Sequence, residues 1–391
     1  CWGSSAIPQL REQILGRDTP MKLEYSERER DLLWLGFVLG PGAKRYEKVL
    51  SAFEGDAHAA YEAARRHDFS PACGLKDESL ERIYASANER FLNGCFKRLQ
   101  ALDISAATIE SPEYPNLLKE IYDPPPVLYY RGALRSEPAL PIAVVGSRAP
   151  TEYGRKLAHT LTQTLAENGA CIVSGLAYGI DCIAALGALA VGENPYPTVA
   201  VLGCGADLVY PAGNRDIYER IIARGAVVSE FLPGTKARPA FFPMRNRIIS
   251  GLSRGVVVVE AAEKSGTLIT VDCALEQGRD VFAFPGRITD LKSAGTNALL
   301  HDGQAKFTLG AEDILEEYGE MHTAPTSVSP SANALPPEQS AILRLLLEGE
   351  RSFDELCELT GFSVPLLNSS LTEMEFSGII KQSPGRVYSS I

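Results

Sequence analysis

The residues best suited to binding chemistry lie in one stretch of the chain, 231–259. It contains five cations and no Asp or Glu, although the chain of 391 residues has a formal net charge of −11. The cations are Lys236, Arg238, Arg245, Arg247 and Arg254, and Phe241 and Phe242 lie among them. Arginine neutralises phosphates and aromatic rings stack on unpaired bases, so this composition is typical of a surface for single-stranded nucleic acid. In the alternative interpretation, the rings belong to the core and the cations to a solvated face.

Glycine-bearing loops supply further candidate ligands for a phosphate. Three such loops follow successive apolar runs: Gly146-Ser147-Arg148, Ser174-Gly175 and Gly203. Glycine lets the backbone approach an anion closely, and Arg148 adds a bidentate donor. Each glycine alone fits a tight strand-to-helix turn equally well, and no complete G-x-G-x-x-G follows the first loop. The repetition at successive strand ends nevertheless predicts one anion-binding crevice.

A fourth loop, formed by Lys264, Ser265, Gly266 and Thr267, precedes a predicted helix. Backbone N–H groups and hydroxyls at a helix start donate hydrogen bonds to an anion, and Lys264 adds positive charge. The chain contains no G-x-x-x-x-G-K-[ST] motif, which argues against intrinsic ATP hydrolysis.

Recognisable catalytic and metal-ligating patterns are missing from the sequence. Asp181 has no His or second carboxylate at a known spacing, so we expect it to cap a helix or hold the fold rather than to catalyse. The eight cysteines form no C-x-x-C pair and have no His partner at ligand spacing. We therefore expect reduced, buried thiols and neither a metal nor a cofactor.

The strands and helices that position these loops are predicted by the hydrophobic pattern of the chain after residue 141. Short, continuous apolar runs alternate there with helical patterns, and strands without polar alternation are buried on both faces of a parallel sheet. The predicted strands are 142–145, 171–173, 198–202, 226–228, 256–259 and 281–283. The pattern predicts a doubly wound α/β fold with its ligand site at the carboxyl ends of the strands.

The rest of the chain divides where its composition changes. We expect an N-terminal tail at 1–23, a helical domain at 24–110, a sheet domain with its preceding extended connector at 111–318, a flexible linker at 319–337 and a winged-helix domain at 338–391. The Gly40-Pro41-Gly42 break in the helical domain faintly resembles a helix-hairpin-helix or SAM-type turn. The nearly uncharged Ala-, Pro- and Ser-rich stretch predicts the linker. Three amphipathic helices and a hairpin predict the winged helix.

The predicted recognition helix of the winged helix, 363–376, contains Glu373 and Glu375 but no Lys or Arg. A helix that enters the major groove normally brings cations and side chains that read base edges. We therefore favour a protein-interaction or self-association role for this domain over duplex binding.

The acidic charge is concentrated outside the sheet domain. Residues 141–310 hold 16 Lys and Arg against 15 Asp and Glu, so the net charge of the chain does not exclude a nucleic-acid partner for this region. No run approaches the roughly 18 apolar residues of a membrane span, and the start lacks the pattern of a secretory signal. We expect a cytoplasmic protein without a membrane partner.

Together these motifs resemble the DNA-processing protein A (DprA/Smf) family. The resembling segments are Gly-Ser-Arg at 146–148, Ser-Gly-Leu-Ala-Tyr-Gly-Ile-Asp at 174–181, Phe-Pro-Met-Arg-Asn-Arg-Ile-Ile-Ser-Gly-Leu at 242–252, Lys-Ser-Gly-Thr at 264–267 and Gly-Thr-Asn at 295–297. The proline-rich connector, the N-terminal helices and the winged helix also resemble parts of that family. Several segments in the right order are far more specific than any single glycine motif.

The resemblance implies an extended Rossmann-like domain that forms a homodimer and binds single-stranded DNA without sequence preference. It implies a recombination mediator, not an enzyme, that protects incoming DNA and helps load the RecA recombinase during natural transformation. In the DNA site that the resemblance implies, Arg148, Arg245, Arg247 and Lys264 contact phosphates and a base stacks on Phe242. The backbone approaches the DNA closely at Gly146, Gly175 and Gly266. Further contacts come from Ser147, Ser174, Gly203, Asn246, Ser265 and Thr267.

Two other interpretations stay open at this point. Similar Rossmann-like sheets occur in nucleotide phosphoribohydrolases of the lysine-decarboxylase-like group, where Glu260 and Arg245 would activate water and hold a nucleotide phosphate. The Pro-Gly-Gly-x-Gly-Thr loop of that group is absent here, and the residues at 264–267 stand in its place. The third interpretation is a scaffold whose winged helix recruits partners, which would need no affinity for DNA.

Overall fold

The computed structural model describes residues 24–69, 73–319, 336–347, 349–376, 379–383 and 385–390. The predicted N-terminal tail and nearly all of the predicted linker lie outside these residues. The chain forms two compact units, Cys1–Met321 and His322–Ile391.

A nine-stranded sheet forms the centre of the first unit. Its strands are β1 (Ser105–Thr108), β2 (Val127–Gly132), β3 (Pro141–Val145), β4 (Cys171–Ser174), β5 (Thr198–Val201), β6 (Ala226–Ser229), β7 (Gly255–Val258), β8 (Asp280–Ala283) and β9 (Lys306–Phe307). Their order is β1-β2-β6-β5-β4-β3-β7-β8-β9. In this order, every neighbouring pair from β6 through β5, β4, β3, β7 and β8 to β9 is parallel, whereas β2 is antiparallel to β1 and β6. The predicted doubly wound, mostly parallel sheet is confirmed, with each predicted strand within one residue of its observed bounds.

Consecutive residues of the central strands point to opposite faces of the sheet. Val145 and Val173 belong to one apolar cluster, whereas Val144 and Ile172 belong to another. Helices cover both faces, so neither face of these strands offers a solvated position for a polar side chain. This explains why the strands read as continuous apolar runs.

Helices alternate with the strands of this unit. After the short helix α6 (Asn116–Lys119), they are α7 (Glu152–Glu167), α8 (Ile180–Ala190), α9 (Arg215–Arg224), α10 (Phe241–Gly251), α11 (Gly266–Glu276), α12 (Ala294–His301) and α13 (Ala311–Glu317). Among the described residues, no helix combines the length and apolarity needed to cross a membrane.

Within residues 24–69 and 73–104, five helices precede the sheet and pack on its antiparallel edge. They are α1 (Glu27–Leu39), α2 (Ala43–Ala52), α3 (Ala57–Arg65), α4 (Asp77–Ser86) and α5 (Glu89–Ala101). A capping box of Ser26 and Glu29 begins α1. Trp34 of α1 and Tyr129 of β2 lie in one apolar cluster, which joins the helices to the sheet. The connector ends in β2, a pairing with the sheet that the sequence pattern did not predict.

The second unit is a winged helix, as predicted. It contains α14 (Pro337–Leu347), β10 (Arg351–Ser352), α15 (Phe353–Thr360), α16 (Val364–Phe376), β11 (Ile380–Ser383) and β12 (Val387–Ser390). The three strands pair in the order β10-β12-β11. Gly361 takes a left-handed conformation, with φ of 67°, and turns the chain between α15 and α16.

Candidate nucleic-acid interface

A cleft of about 670 Å³ opens at the carboxyl ends of β3 and β7. Its walls come from the loop after β3, the first half of α10, the start of α11 and Tyr210. Ten of the fourteen predicted site residues line this cleft: Gly146, Ser147, Arg148, Phe242, Arg245, Asn246, Lys264, Ser265, Gly266 and Thr267. The cleft lies where doubly wound sheets place their ligands. The structure therefore brings most of the predicted site together.

The loop that carries Arg148 is fixed by backbone hydrogen bonds. The Ser147 N–H donates to the Glu260 carbonyl at 2.8 Å, and the Ser147 carbonyl accepts from the Ile180 N–H at 3.1 Å. A Cβ on Gly146 would lie 2.7 Å from Cγ1 of Ile180, so this position requires glycine for packing. The Arg148 side chain itself is exposed. A rigid loop thus presents one solvated guanidinium at the cleft.

Phe242 lies between two groups that favour contact with an aromatic ring. The Arg148 guanidinium carbon is 5.7 Å from the Phe242 ring centroid, and the Tyr210 ring centroid is 5.6 Å from it. Phe242 is half-buried. This arrangement sets a cation and two rings side by side, a combination that suits both the phosphates and the bases of an unpaired strand.

The fourth loop begins α11 and borders the same cleft. Ser265 caps the helix, because its Oγ accepts the Thr267 N–H at 3.2 Å. A Cβ on Gly266 would meet no atom within 4 Å, and Lys264 is exposed. The open backbone and the positive end of the helix dipole make this wall favourable for an anion.

Arg245 forms part of the cleft floor and differs from the expectation of a direct phosphate contact. Its side chain is buried, with the residue 5% exposed, and its Nη1 donates to the carbonyls of Gly175, at 2.7 Å, and Val201. Burial lowers the pKa of Arg245 to about 10, although the nearby Asp181 carboxylate opposes that shift. The guanidinium therefore ties the ends of β4 and β5 together beside the cleft.

Arg247 lies outside the cleft lining, which also differs from the expectation. Its Nε donates to Asp123 at 2.9 Å and its Nη2 to Glu230 at 2.8 Å, and its side chain is only 11% exposed. Two carboxylates thus neutralise this guanidinium inside the protein. Its geometry is that of a structural ion pair rather than of a phosphate ligand.

Ser174, Gly175 and Gly203 also lie outside the cleft lining. A Cβ on Gly175 would overlap the Arg245 guanidinium, and a Cβ on Gly203 would lie 2.9 Å from the Phe242 ring. The Ser174 hydroxyl is buried. The two glycine positions need small residues because Arg245 and Phe242 of the cleft pack against them.

The two buried carboxylates near the cleft have structural partners. Oδ2 of Asp181 accepts the Gly175 N–H at 3.0 Å, and burial raises the pKa of this carboxyl. Glu260 accepts hydrogen bonds from the backbone N–H, at 2.9 Å, and from the hydroxyl of Thr151. Asp181 therefore holds the fold, as expected. Both carboxylate oxygens of Glu260 accept hydrogen bonds from Thr151. This argues against the phosphoribohydrolase interpretation, in which Glu260 would activate water.

The sequence analysis did not identify Tyr210, which lines the cleft and whose ring is tilted against that of Phe242. Tyr210 follows β5 by nine positions, beyond the short strand-end loops in which we sought ligands. The signal in the sequence that could have identified Tyr210 is the Tyr-Pro pair at 210–211, which predicts an exposed turn.

The fold and the cleft define a Rossmann-like α/β protein with a basic, aromatic-rimmed site at the carboxyl edge of its sheet, followed in the chain by a winged helix. Residues 105–319 match the family described as DNA recombination-mediator protein A, and residues 325–386 match the DprA winged helix domain. The chain belongs to this DprA/Smf family, which confirms the resemblance.

Individual relatives agree with that assignment. Protein Smf of Synechocystis sp. is 36% identical over 350 residues, which cover 81% of this chain and 87% of that protein. DNA processing protein DprA of Bacillus subtilis is 42% identical over 258 residues, 64% of this chain and 82% of that protein. The X-ray structure of DNA processing protein A from Streptococcus pneumoniae superposes with a TM-score of 0.61 at 35% identity and covers 75% of this chain and 98% of its own.

Proposed function

We propose that this protein binds single-stranded DNA in the cleft and acts as a recombination mediator without a catalytic reaction of its own. The observation that carries the proposal is the exposed Arg148 beside the Phe242 ring, in the same cleft as Lys264 and the start of α11. The cations and the helix start can bind phosphates where the Phe242 ring can stack on an unpaired base. Membership of a recombination-mediator family supports the same function.

The charge of the cleft favours a polyanion. Three cations line it, Arg148, Arg245 and Lys264, against the single carboxylate of Asp181. Asp181 is buried, whereas Arg148 and Lys264 are exposed. Phosphates of a flexible strand can reach both exposed cations, and the strand can turn its bases toward the ring.

Fluorescence anisotropy with labelled oligo-dT and a labelled duplex of the same length tests this proposal. We expect the wild type to prefer the single strand, because a paired base cannot stack on Phe242. Phe242→Leu should reduce that preference, whereas the matched change Phe91→Leu, on α5 and outside the cleft lining, should not. Equal affinity for the two DNAs would refute the preference for the single strand, and no affinity for oligo-dT at low salt would refute single-strand binding.

We also propose that the protein forms a homodimer. Exposed apolar side chains at the β9 end of the sheet support this, because Phe307 and Leu309 are both largely solvent-accessible there. Such an edge is suited to pairing with a second copy. Light scattering should give twice the chain mass for the wild type and a smaller mass for Phe307→Glu. A monomeric wild type at micromolar concentration would contradict this proposal.

RecA loading during natural transformation is the most specific part of the proposal. It rests on the family description of a recombination mediator and on the expected single-strand binding. A mediator should shorten the lag of RecA assembly on single strands that are covered by single-strand-binding protein. If the wild type binds the single strand but leaves the lag unchanged, the RecA role is rejected while DNA binding stands.

A further inference from the structure

Two exposed tyrosines lie at or next to the candidate DNA cleft: Tyr210 lines it, and Tyr178 directly follows Ala177, which also lines it. Tyr178 follows β4 and is 52% exposed, and Tyr210 follows β5 and is 49% exposed. Across the part of the chain that the structure describes, neither hydroxyl has a hydrogen-bond partner. Large aromatic side chains held at a surface in this way are typical of binding sites.

Tyr210 continues the aromatic surface of the cleft outward. Its ring centroid lies 5.6 Å from that of Phe242, and the two planes are inclined by 31°. Phe242 is only half-exposed, with the Arg148 guanidinium above its ring and Gly203 packed against it. Tyr210 therefore offers an unpaired base more open ring surface than Phe242 does.

Tyr178 lies against the turn that follows Tyr210. A Cβ on Gly213 would be 3.0 Å from the Tyr178 hydroxyl oxygen, so the ring covers this turn. Asn214 of the same turn donates from Nδ2 to the Leu176 carbonyl at 2.9 Å. The two loops are thus tied together, so Tyr178 and Tyr210 lie on adjoining loops after β4 and β5. We call these two residues the tyrosine rim.

We infer that the tyrosine rim is a base-stacking subsite that extends the cleft along the ends of β4 and β5. Its ligands are unpaired nucleobases of the strand whose phosphates bind Arg148 and Lys264, so the inference rests on the proposed function. Tyrosine rings bind bases by stacking rather than by ion pairing, and the subsite therefore adds affinity without adding phosphate contacts. Stacking accepts every base, so it also adds no sequence preference.

Binding of oligo-dT and of an abasic oligomer of equal length separates stacking from phosphate contacts. We expect Tyr210→Ala to weaken oligo-dT binding about five- to hundredfold, the range of one lost stacked base. Tyr178→Ala should act in the same direction, and Tyr210→Phe should bind as the wild type does, because it keeps the ring. Affinity for the abasic oligomer and the salt dependence of binding should stay unchanged in all these variants.

Tyr122→Ala is the matched control, because Tyr122 is 90% exposed and lies outside the cleft lining. It should leave both affinities unchanged. Normal oligo-dT binding by Tyr210→Ala, or an equal loss for both oligomers, would overturn the tyrosine rim while leaving single-strand binding intact. Failure of the wild type to bind oligo-dT at all would instead overturn the proposed function and, with it, this subsite.

Discussion

Glu260, which follows β7, holds the start of α7 through Thr151. Oε2 of Glu260 accepts the Thr151 N–H at 2.9 Å, and Oε1 accepts the Thr151 hydroxyl. The Glu260 carbonyl accepts the Ser147 N–H at 2.8 Å. One buried residue thus fixes both ends of the loop that presents Arg148, so the position of the exposed cation depends on a carboxylate that need not touch the ligand.

Glu260→Ala should therefore weaken both the fold and DNA binding. The Thr151 donors lose their buried acceptor, and hydrogen bonds to a charged group contribute about 2 kcal/mol each. Urea unfolding should show a loss of about 2–4 kcal/mol. Glu260→Gln keeps one acceptor oxygen and should lose less. Unchanged stability in Glu260→Ala would show that this carboxylate does not hold the loop.

Arg245 should behave as a structural residue and Arg148 as a binding residue. Arg245→Met removes the donors to the carbonyls of Gly175 and Val201, and an unsatisfied buried acceptor costs about 1–3 kcal/mol. Thermal unfolding should therefore show a clear loss for Arg245→Met and almost none for Arg148→Ala, whose side chain is exposed. The reverse order of stabilities would contradict the assigned roles.

Two glycines of the site should respond differently to one added methyl group. In Gly175→Ala the Cβ would overlap the Arg245 guanidinium, and overpacking of this kind costs about 1–3 kcal/mol. In Gly266→Ala the Cβ meets no atom within 4 Å, so denaturant unfolding should be unchanged. If Gly175→Ala unfolds at the same urea concentration as Gly266→Ala, the packing of Arg245 on this glycine is not as described.

Stability should fall slightly as the pH rises past neutrality, because of His58. Its Nδ1 lies 2.9 Å from Oδ2 of the buried Asp31, and this hydrogen bond raises the pKa of His58 above its ordinary value of 6.5. A raised folded-state pKa stabilises the fold fully below pH 6.5, and the stabilisation is lost as the pH rises through the folded-state value.

Because His58 is half-exposed, we expect a change of less than about 1 kcal/mol. Unfolding in urea between about pH 5 and 8 measures it, and His58→Asn should remove the pH-dependent part. A decline of equal size in His58→Asn would assign the effect to another group.

Much of the fold could be predicted from the sequence because buried parallel strands have an unambiguous signature. Strand β3 and strand β7 read as apolar runs since helices cover both of their faces. Strand β2 escaped prediction because its pairing with β1 and β6 depends on contacts between distant segments, and the neighbouring prolines indicate only an extended chain.

The candidate site was predicted by residue type but not by the direction in which each side chain points. Arg148, Arg245 and Arg247 look equivalent in the sequence, yet one is exposed, one bonds to strand ends and one pairs with Asp123 and Glu230. A helix such as α10 turns residues two apart onto different faces, and the partners of each face come from distant parts of the chain.

The direct test of DNA binding in the cleft is the salt dependence of oligo-dT binding, measured for the wild type, Arg148→Ala and Arg220→Ala. Arg220 is exposed on α9, outside the cleft lining, and serves as the control for lost charge. We expect Arg148→Ala to weaken binding and to reduce the slope of log K against log salt by about 0.7, one phosphate contact, whereas Arg220→Ala should leave the slope unchanged. Identical slopes and affinities for all three proteins would contradict a DNA site in this cleft.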